Sequence, residues 1–519
     1  MSIDDSERRG RQRKPATRPP PEAPVPPAAA SRPRADGAQT GASAAARLRE
    51  AVSRAQAALL ARQHPDGYWL GELEADASVT AGYVPVMLAV TGAVDPDRRA
   101  KAARFVKGEQ LPDGSWPAYR GGPGSLDVSV QAYFGLKLAG EAVDAPSLAR
   151  ARAFILSKGG VERANLVTKM WLAVFGQYPY ERIPSVPPEL MLLPESGPFS
   201  LYDFASWSRE TLVALMIVSA VKPVFAVSPA ADVAELFVPA GNGEGRAERR
   251  EVGWWPTLFR AVDVALKLWD RLPWQPGRAS ALARAEAWLI RHQEADGSWG
   301  GIMLPWVYAL FALKGLGYAS DHPVVARAIA GLEGFIVEDD TVMRLEPAVS
   351  PVWDTAWAVL ALRESGLPPH HPALQRAAGW LLDREITRRG DWHVKNPSLE
   401  AGGWAFEFAN AFYPDLDDTP VVARALLSVT LPAEQEQAKR DAVRRAVAWS
   451  LGMQSKDGGF AAFDRDNDMR ALAHVPFSDF VPPLDPTCAD VTAHVLELMA
   501  AAGEAGPARD RALAYLVRT

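Results

Sequence analysis

The stretch Gln293-Glu-Ala-Asp-Gly-Ser-Trp299 recurs along the chain and is the strongest indication of its fold. Two earlier copies, Gln63-His-Pro-Asp-Gly-Tyr-Trp69 and Gln110-Leu-Pro-Asp-Gly-Ser-Trp116, share its Gln, Asp-Gly and Trp, and Gln454-Ser-Lys-Asp-Gly-Gly-Phe460 has Phe in the Trp position. Asp-Gly is a turn signal, and four copies with one internal spacing indicate a repeat architecture. We interpret the repeat as a loop that joins paired helices into an array or a closed α/α barrel.

The segments around the repeats have the periodicity of helices. Apolar residues recur at three- and four-residue spacing in residues 45–62, 282–291 and 438–451. Gly and Pro clusters separate these segments, and strand-like alternation is scarce. The sequence therefore predicts an all-α protein.

Composition narrows the class of protein. A chain of 519 residues with 48% apolar residues is typical of a globular protein with two domains. The net charge of −6 argues against a nucleic-acid-binding protein. The single cysteine, Cys488, excludes an internal disulfide framework and suits a reducing cytoplasm.

Residues 1–44 form a basic tail with eight prolines, which we expect to be disordered. Two interpretations of the tail stay open: it contacts anionic lipid headgroups, or it is a solvated extension without a role. The N-terminus lacks the apolar core of a signal peptide. The apolar stretch 212–221 is too short to span a bilayer, so any membrane contact would be peripheral and monotopic.

Residues 165–252 interrupt the repeats. Within them, residues 210–221 have a helical pattern, residues 231–239 are apolar and residues 246–250 are basic. An apolar stretch followed by a basic one suits a monotopic membrane contact. An ordinary surface loop explains the order equally well.

The acidic cluster Asp415-Leu-Asp417-Asp418-Thr419 follows the aromatic run Trp404-Ala-Phe-Glu-Phe408. In a confined apolar site, repulsion and desolvation raise carboxyl pKa values, so one of the three acids should keep a proton that it can donate to an alkene. Acids before Pro420 also fit ordinary helix capping, and a helix N-terminus lowers carboxylate pKa values. Both interpretations stay open at this stage.

His494 is the candidate partner of these acids. Asp490 and His494 are four residues apart on one helical face, and a hydrogen bond between them would orient the ring and favour its charged form. A structural histidine is the alternative. The remaining histidines lack metal-ligand spacing, and the sequence has neither a P-loop nor a dinucleotide fingerprint.

Aromatic residues provide π faces that can stabilise a migrating carbocation, although each also fits a protein core. The candidates are Trp171, Trp353, Phe406, Phe463, Phe477 and Phe480.

Together these motifs resemble the squalene–hopene cyclase family of class II triterpene cyclases. The resemblance extends over residues 46–519 and follows the family's motif order. Besides the repeats and the acidic cluster, the motifs that carry it are Ser350-Pro-Val-Trp353-Asp-Thr, Gly402-Gly-Trp-Ala-Phe406-Glu-Phe, Gly452-Met-Gln-Ser and Asp490-Val-Thr-Ala-His494.

The resemblance implies two α/α barrels around an apolar cavity, with neither a metal nor an organic cofactor. Residues 45–75 would supply a helix to the catalytic barrel, residues 76–345 an inserted barrel with a membrane and channel segment, and residues 346–519 the catalytic barrel. It also implies peripheral attachment to the cytoplasmic side of the membrane and allows a homodimer.

The resemblance further implies a reaction. Asp417 would protonate a terminal alkene of squalene, with Asp415 and Asp418 as neighbours and His494, beside Asp490, as its hydrogen-bonded activator. Cyclisation through carbocations would end in hopene or hopanol. The implied cavity lining is Trp171, Ile302, Trp353, Phe406, Phe463, Phe477 and Phe480.

The sequence departs from the family at three positions and in length. Gly82 stands where the family usually has Glu, Pro420 replaces a common Ala, and Ser478 replaces a common Cys. The family also continues well past the position of Thr519. We therefore expect an incomplete second barrel, as in a truncated product, one piece of a split enzyme or a shortened cyclase. The alternative functions are a class II cyclase of a shorter prenyl substrate and a non-catalytic fragment that binds lipid or a partner chain.

Overall fold

A computed structural model describes residues 41–238, 254–475, 477 and 483–519. The prediction of an all-α protein is confirmed, since the described residues contain eighteen α-helices and only two short antiparallel ribbons with isolated bridges. The predictions for residues 1–40, for the basic run 246–250 and for Phe480 lie outside the described residues. The predicted boundary of the tail at residue 44 is wrong, because residues 41–44 belong to the first helix.

The helices have these bounds: α1 Gly41–Ala61, α2 Ala77–Thr91, α3 Pro96–Gly108, α4 Leu126–Leu138, α5 Pro146–Ser157, α6 Leu166–Ala173, α7 Ser206–Val221, α8 Trp254–Trp269, α9 Arg278–Arg291, α10 Met303–Gly315, α11 Pro323–Leu332, α12 Pro351–Glu364, α13 Pro372–Leu382, α14 Trp392–Lys395, α15 Asp418–Leu427, α16 Ala433–Gly452, α17 Ala489–Ala502 and α18 Pro507–Arg518. The strands are β1 Trp116–Pro117 with β2 Gly124–Ser125, and β3 Ile336–Glu338 with β4 Met343–Leu345. The segments predicted as helical from their periodicity fall on α1, α7, α9 and α16.

Each repeat loop binds the start of a later helix. The Gln63 side-chain amide donates to the carbonyl of Gly67 in its own turn at 2.7 Å and to the carbonyl of Ala373, the second residue of α13, at 2.8 Å. The other three glutamines make the same two bonds. These are Gln110 with Gly114 and Ser147, Gln293 with Gly297 and Val324, and Gln454 with Gly458 and Ala508.

The receiving helices carry a second half of the repeat that the sequence analysis missed. Each begins with Pro, and the Arg four residues later donates to the Oε1 of the loop's glutamine. The pairs are Arg376 with Gln63, Arg150 with Gln110, Arg327 with Gln293 and Arg511 with Gln454. A comparison of Pro-x-x-x-Arg segments along the chain would have found this signal.

A steric constraint explains why the repeat contains glycine. Gly297 has φ +96°, and a Cβ on it would lie 2.3 Å from the carbonyl oxygen of Arg327 in the receiving helix. A side chain there would both strain the backbone and push the loop away from α11. The Asp-Gly pair is therefore required by the docking of the loop as well as by the turn.

Apolar burial groups the helices into two main clusters. One core is built mainly by α2, α4, α7 and α10; its residues lie between 77 and 349, with Leu472 and Val475 added from the C-terminal part. The other unites α12, α13, α15 and α16 with Tyr68 and Trp69, which precede the first cluster in the chain. The backbone N–H of Trp69 donates to Thr355 Oγ1 at 2.9 Å, which fixes this early loop to α12. The domain boundaries at residues 76 and 346 stay a prediction.

Among the described residues, no helix combines the length and the apolarity that a membrane span requires.

Candidate active site

The acidic cluster lies at the start of α15. Asp415 Oδ1 accepts the backbone N–H groups of Asp417 at 3.0 Å and of Asp418 at 2.6 Å, so Asp415 does cap this turn. The Asp415 N–H donates to the carbonyl of Trp404 at 3.0 Å, and Thr419 Oγ1 accepts the Trp404 N–H at 2.9 Å. These bonds fix the acidic loop to the aromatic run that precedes it.

Asp415 and Asp418 form a buried carboxyl pair, each 2% exposed. Burial raises the pKa of both groups; the charge of Asp417 also raises the pKa of Asp415, and the charge of Asp415 raises that of Asp418. A hydrogen bond between the two side chains lowers the pKa of Asp415 and raises that of Asp418. Outside this pair, the buried atoms Asp415 Oδ2 and Asp418 Oδ1 have no hydrogen-bond partner. Because two charges cannot be held cheaply there, this pair retains a proton well above the usual range of a carboxyl group.

Asp417 is the accessible member of the cluster. Its side chain is 42% exposed, and its Oδ1 lies 3.1 Å from Nδ1 of His494. The hydrogen bond joins the start of α15 to α17. Of the three carboxyl groups, Asp417 is therefore the one that a bound molecule can reach.

Two indole rings surround His494 on its other sides. The ring centroids of Trp353 and Trp357 lie 6.0 Å and 6.1 Å from the imidazole centroid, and the two indoles are 5.6 Å apart. Both belong to α12 at positions four residues apart, so they share one face. Trp353 was predicted from the sequence and Trp357 was not, although their spacing of four residues places both on one face of a helix.

The predicted hydrogen bond between Asp490 and His494 is wrong, because no such bond exists in the described part of α17. Asp490 is exposed and accepts from the Cys488 thiol and the Val491 N–H, which lower the Asp490 pKa. Its carboxylate affects His494 only as a nearby charge. The bond that orients His494 comes instead from Asp417, which is 77 residues away in sequence.

Trp171, predicted to line a cavity, is 7% exposed and packs in the first core. Its ring centroid lies 5.8 Å from that of Phe175 and 5.6 Å from that of Phe311. A Cβ on Gly82 would approach the Trp171 ring to 3.3 Å, so a larger residue at that position would displace the indole.

The other predicted lining residues are partly buried. Ile302 directly precedes α10, and the carbonyl of Phe406 accepts the Val352 N–H at 3.3 Å beside the start of α12. Ring contacts join the remaining two to the first half of the chain. They are Phe463 with Trp207 at 5.8 Å and Phe477 with Phe204 at 6.3 Å.

Family models match nearly the whole chain. The squalene-hopene cyclase N-terminal domain matches residues 52–341, and the C-terminal domain of the same family matches residues 349–519. The chain belongs to the squalene–hopene cyclase family. The resemblance identified from the motifs is thus confirmed.

Three relatives of this cyclase-family chain illustrate the similarity. The squalene–hopene cyclase of Alicyclobacillus acidocaldarius is 44% identical over 470 residues, which cover 90% of this chain and 73% of that protein. The dammaradiene synthase of Dryopteris crassirhizoma is 40% identical over 87% of this chain and 66% of its own length. The squalene–hopene cyclase of Zymomonas mobilis is 35% identical over 90% and 72%.

A buried ionic network lies close to the acidic loop of the cyclase. Arg209 of α7, 1% exposed, donates to Asp391 Oδ2 at 3.1 Å and also binds Asp464. His292 Nε2 lies 2.9 Å from Asp391 Oδ1, and the Tyr413 hydroxyl donates to Asp391 Oδ2 at 2.8 Å. Burial raises the Asp391 pKa, but the bond from His292 and the Arg209 charge outweigh it and hold the value below normal.

In the described ranges, no group of three or more His, Cys, Asp or Glu side chains is arranged to hold a metal ion.

Proposed function

We propose that this chain is a triterpene cyclase that protonates squalene and cyclises it to hopene or hopanol. Membership of the squalene–hopene cyclase family supports this activity. The single observation that carries the proposal is the 3.1 Å contact between Asp417 and His494, because it supplies one accessible carboxyl with a dedicated hydrogen-bond partner.

In the proposed first step, Asp417 is the general acid. The O–H bond of its carboxyl group breaks as a C–H bond forms at the terminal alkene carbon of squalene, leaving a tertiary carbocation and the Asp417 carboxylate. His494 holds the carboxyl group in position and stabilises the carboxylate that forms. Asp415 fixes the turn that presents Asp417, through the backbone bonds described above.

The cation then has to be guided and kept from water. Successive alkenes of the same molecule attack it, ring by ring, until a proton is lost or a water molecule is captured. An aromatic face stabilises a nearby cation by about 0.5–2 kcal/mol without acting as a base. The position of the Trp353 ring, 6.0 Å from that of His494, supports this role for it.

Helix α8 supports a proposed peripheral contact with the membrane in which squalene dissolves, on its cytoplasmic side. Apolar residues on this helix and just after it are exposed to solvent, an arrangement that suits burial at a lipid interface. They are Trp254 at 64%, Leu258 at 36%, Val262 at 41%, Val264 at 58%, Leu268 at 56%, Leu272 at 48% and Trp274 at 75%.

Product analysis tests the proposed function. The purified chain is incubated with squalene and, separately, with geranylgeranyl diphosphate, with Asp417→Asn as the control for background cyclisation. We expect pentacyclic hopene or hopanol from squalene alone. A cyclic diphosphate from the shorter substrate would favour the alternative cyclase, and no product from either would contradict the proposal.

A further inference from the structure

Two buried carboxyl groups that the proposed mechanism does not use lie on either side of one dipeptide. Glu210 of α7 is 2% exposed, and Glu407 of the loop before α15 is 6% exposed. A Cβ on Gly300 would collide with the Glu210 carboxyl group, and one on Gly301 would collide with that of Glu407. The glycine pair therefore allows both acids to approach the same piece of backbone.

Polar atoms around this pair lack partners. Asn410 Nδ2 donates to Glu407 Oε2 at 3.0 Å and to the Gly300 carbonyl at 3.4 Å, which leaves Asn410 Oδ1 unbonded. Glu210 Oε1 and Asn410 Oδ1 are buried without a hydrogen-bond partner, and Asp415 Oδ2 and Asp418 Oδ1 have none outside their own pair. Since an unpaired buried polar atom is costly, these oxygens call for protons on the acids and for water between them.

The acids also affect one another electrostatically. Burial, with a contribution from Asp415, raises the Glu407 pKa to about 8, against the bond from Asn410. Glu407 in turn raises the pKa of Asp418, after burial and the charge of Asp415. Glu407 is therefore a third member of the group of interacting acids that includes Asp415 and Asp418.

Glu210 is the fourth interacting acid; we call Glu210, Glu407, Asp418 and Asp415 the carboxyl series. Burial is the largest cause that raises the Glu210 pKa, the charges of Glu294, Asp391 and Glu407 raise it further, and the charge of Arg209 lowers it. Glu294 forms an ion pair with Arg388, whose side chain is 53% exposed. The carboxyl series therefore lies between the partly exposed ion pair of Glu294 with Arg388 and the buried pair Asp415 and Asp418.

The proposed reaction consumes one proton at Asp417 in each cycle. The proton enters squalene at one end, and the product loses a proton, or captures water, at the opposite end of the ring system. Asp417 therefore finishes each cycle as a carboxylate, and substrate cannot return its proton.

We propose that Glu210 and Glu407, with Asp415 and Asp418, form a water-bridged proton store that reprotonates Asp417 after each cycle. A proton passes from Asp418 through water to the Asp417 carboxylate, Glu407 restores Asp418, and Glu210 restores Glu407. Bulk water, entering beside Glu294, supplies one proton in exchange for the one released at the end of cyclisation. The storage of protons stands on the burial of these acids and their contacts with Gly300-Gly301, together with the raised pKa values, whereas delivery to Asp417 rests on the proposed function.

Infrared spectroscopy tests the store without any turnover. The absorption of protonated carboxyl groups is recorded at neutral pH for the unchanged chain, Glu210→Gln and Glu407→Gln. The control is Glu338→Gln, an acid outside the carboxyl series that forms ion pairs with Arg98 and Lys101. We expect each of the first two variants to lose protonated-carboxyl absorption that the control keeps. Equal absorption in all four proteins would overturn the store.

Rapid mixing with squalene tests delivery. In Glu407→Gln we expect the first turnover to stay within about twofold of the unchanged chain, while later turnovers slow about tenfold or more. An equal loss in both phases, or in neither, would overturn delivery. Absence of squalene turnover in the unchanged chain would contradict the proposed function instead, and the infrared result would still decide whether protons are stored.

Discussion

Nδ1 of His494 lies 3.1 Å from Oδ1 of Asp417, and this contact joins α17 to the residue that precedes α15. The neighbouring acids Asp415 and Asp418 are buried, and Asp415 Oδ1 is bonded to the loop, whereas Asp417 is 42% exposed. The three carboxyl groups thus differ in exposure and in hydrogen bonding, which set their protonation.

Replacement of Asp417 by Asn should abolish cyclisation of squalene. An amide cannot donate a proton to an alkene, so we expect a loss of about 10⁴-fold or more. Asn is close to Asp in size, so the helical circular dichroism should not change. Gas chromatography of the products measures the effect, with Asp340→Asn as a surface control, and substantial hopene from the Asp417 variant would rule out this acid.

Replacement of His494 by Ala should slow cyclisation less than the Asp417 change. The imidazole positions and tunes the acid but does not carry the transferred proton, so we expect a loss of about 10- to 100-fold. His494→Gln, which can still hydrogen-bond to Asp417, should recover part of the rate. A loss in His494→Ala as large as that in Asp417→Asn would show that the histidine itself is the donor.

Replacement of Arg209 by Met should destabilise the fold strongly. The change leaves the buried carboxylates of Asp391 and Asp464 without their cation, and such a loss typically lowers the free energy of unfolding by about 3–5 kcal/mol. Urea denaturation measures the effect. The control is Arg444→Met, because the Arg444 side chain is 74% exposed, and a change there should cost less than about 1 kcal/mol.

Stability should fall as the pH rises through the range in which Glu407 titrates. The folded-state pKa of Glu407 is about 8 against the usual 4.5, so the folded chain binds more protons than the unfolded chain between these values. Its contribution is therefore fully present below about pH 4.5 and is lost as the pH approaches 8. Glu407→Gln should make the urea midpoint less pH-dependent over this interval, and an unchanged slope would contradict the raised pKa.

Charges on the exposed face of α8 should weaken membrane binding. The double change Val264→Glu and Leu268→Glu removes two apolar side chains from the proposed lipid contact, and we expect at least about a tenfold loss of binding to phospholipid vesicles. Co-sedimentation measures it, with Val143→Glu as a control at an exposed apolar position elsewhere. Unchanged binding of the double variant would remove α8 from the contact.

The repeat and the helical class were predictable from sequence because both depend on local patterns. Gln, Asp-Gly and Trp at one fixed spacing indicate a loop between helices, and three- and four-residue periodicity indicates the helices themselves. The Pro-x-x-x-Arg half of the repeat was visible as well, but its meaning depends on which helix receives each loop. Gln63 binds α13, more than three hundred residues later, and no local signal specifies that pairing.

The all-α class, the family motifs and the three acids could be identified from the sequence, since each is encoded in contiguous residues. The exposure of Asp417, its bond to His494, and the approach of Glu210 and Glu407 to Gly300-Gly301 became visible in the three-dimensional structure. Burial and charge pairing set the state of a carboxyl group, and both depend on helices that meet in space while lying far apart in the chain.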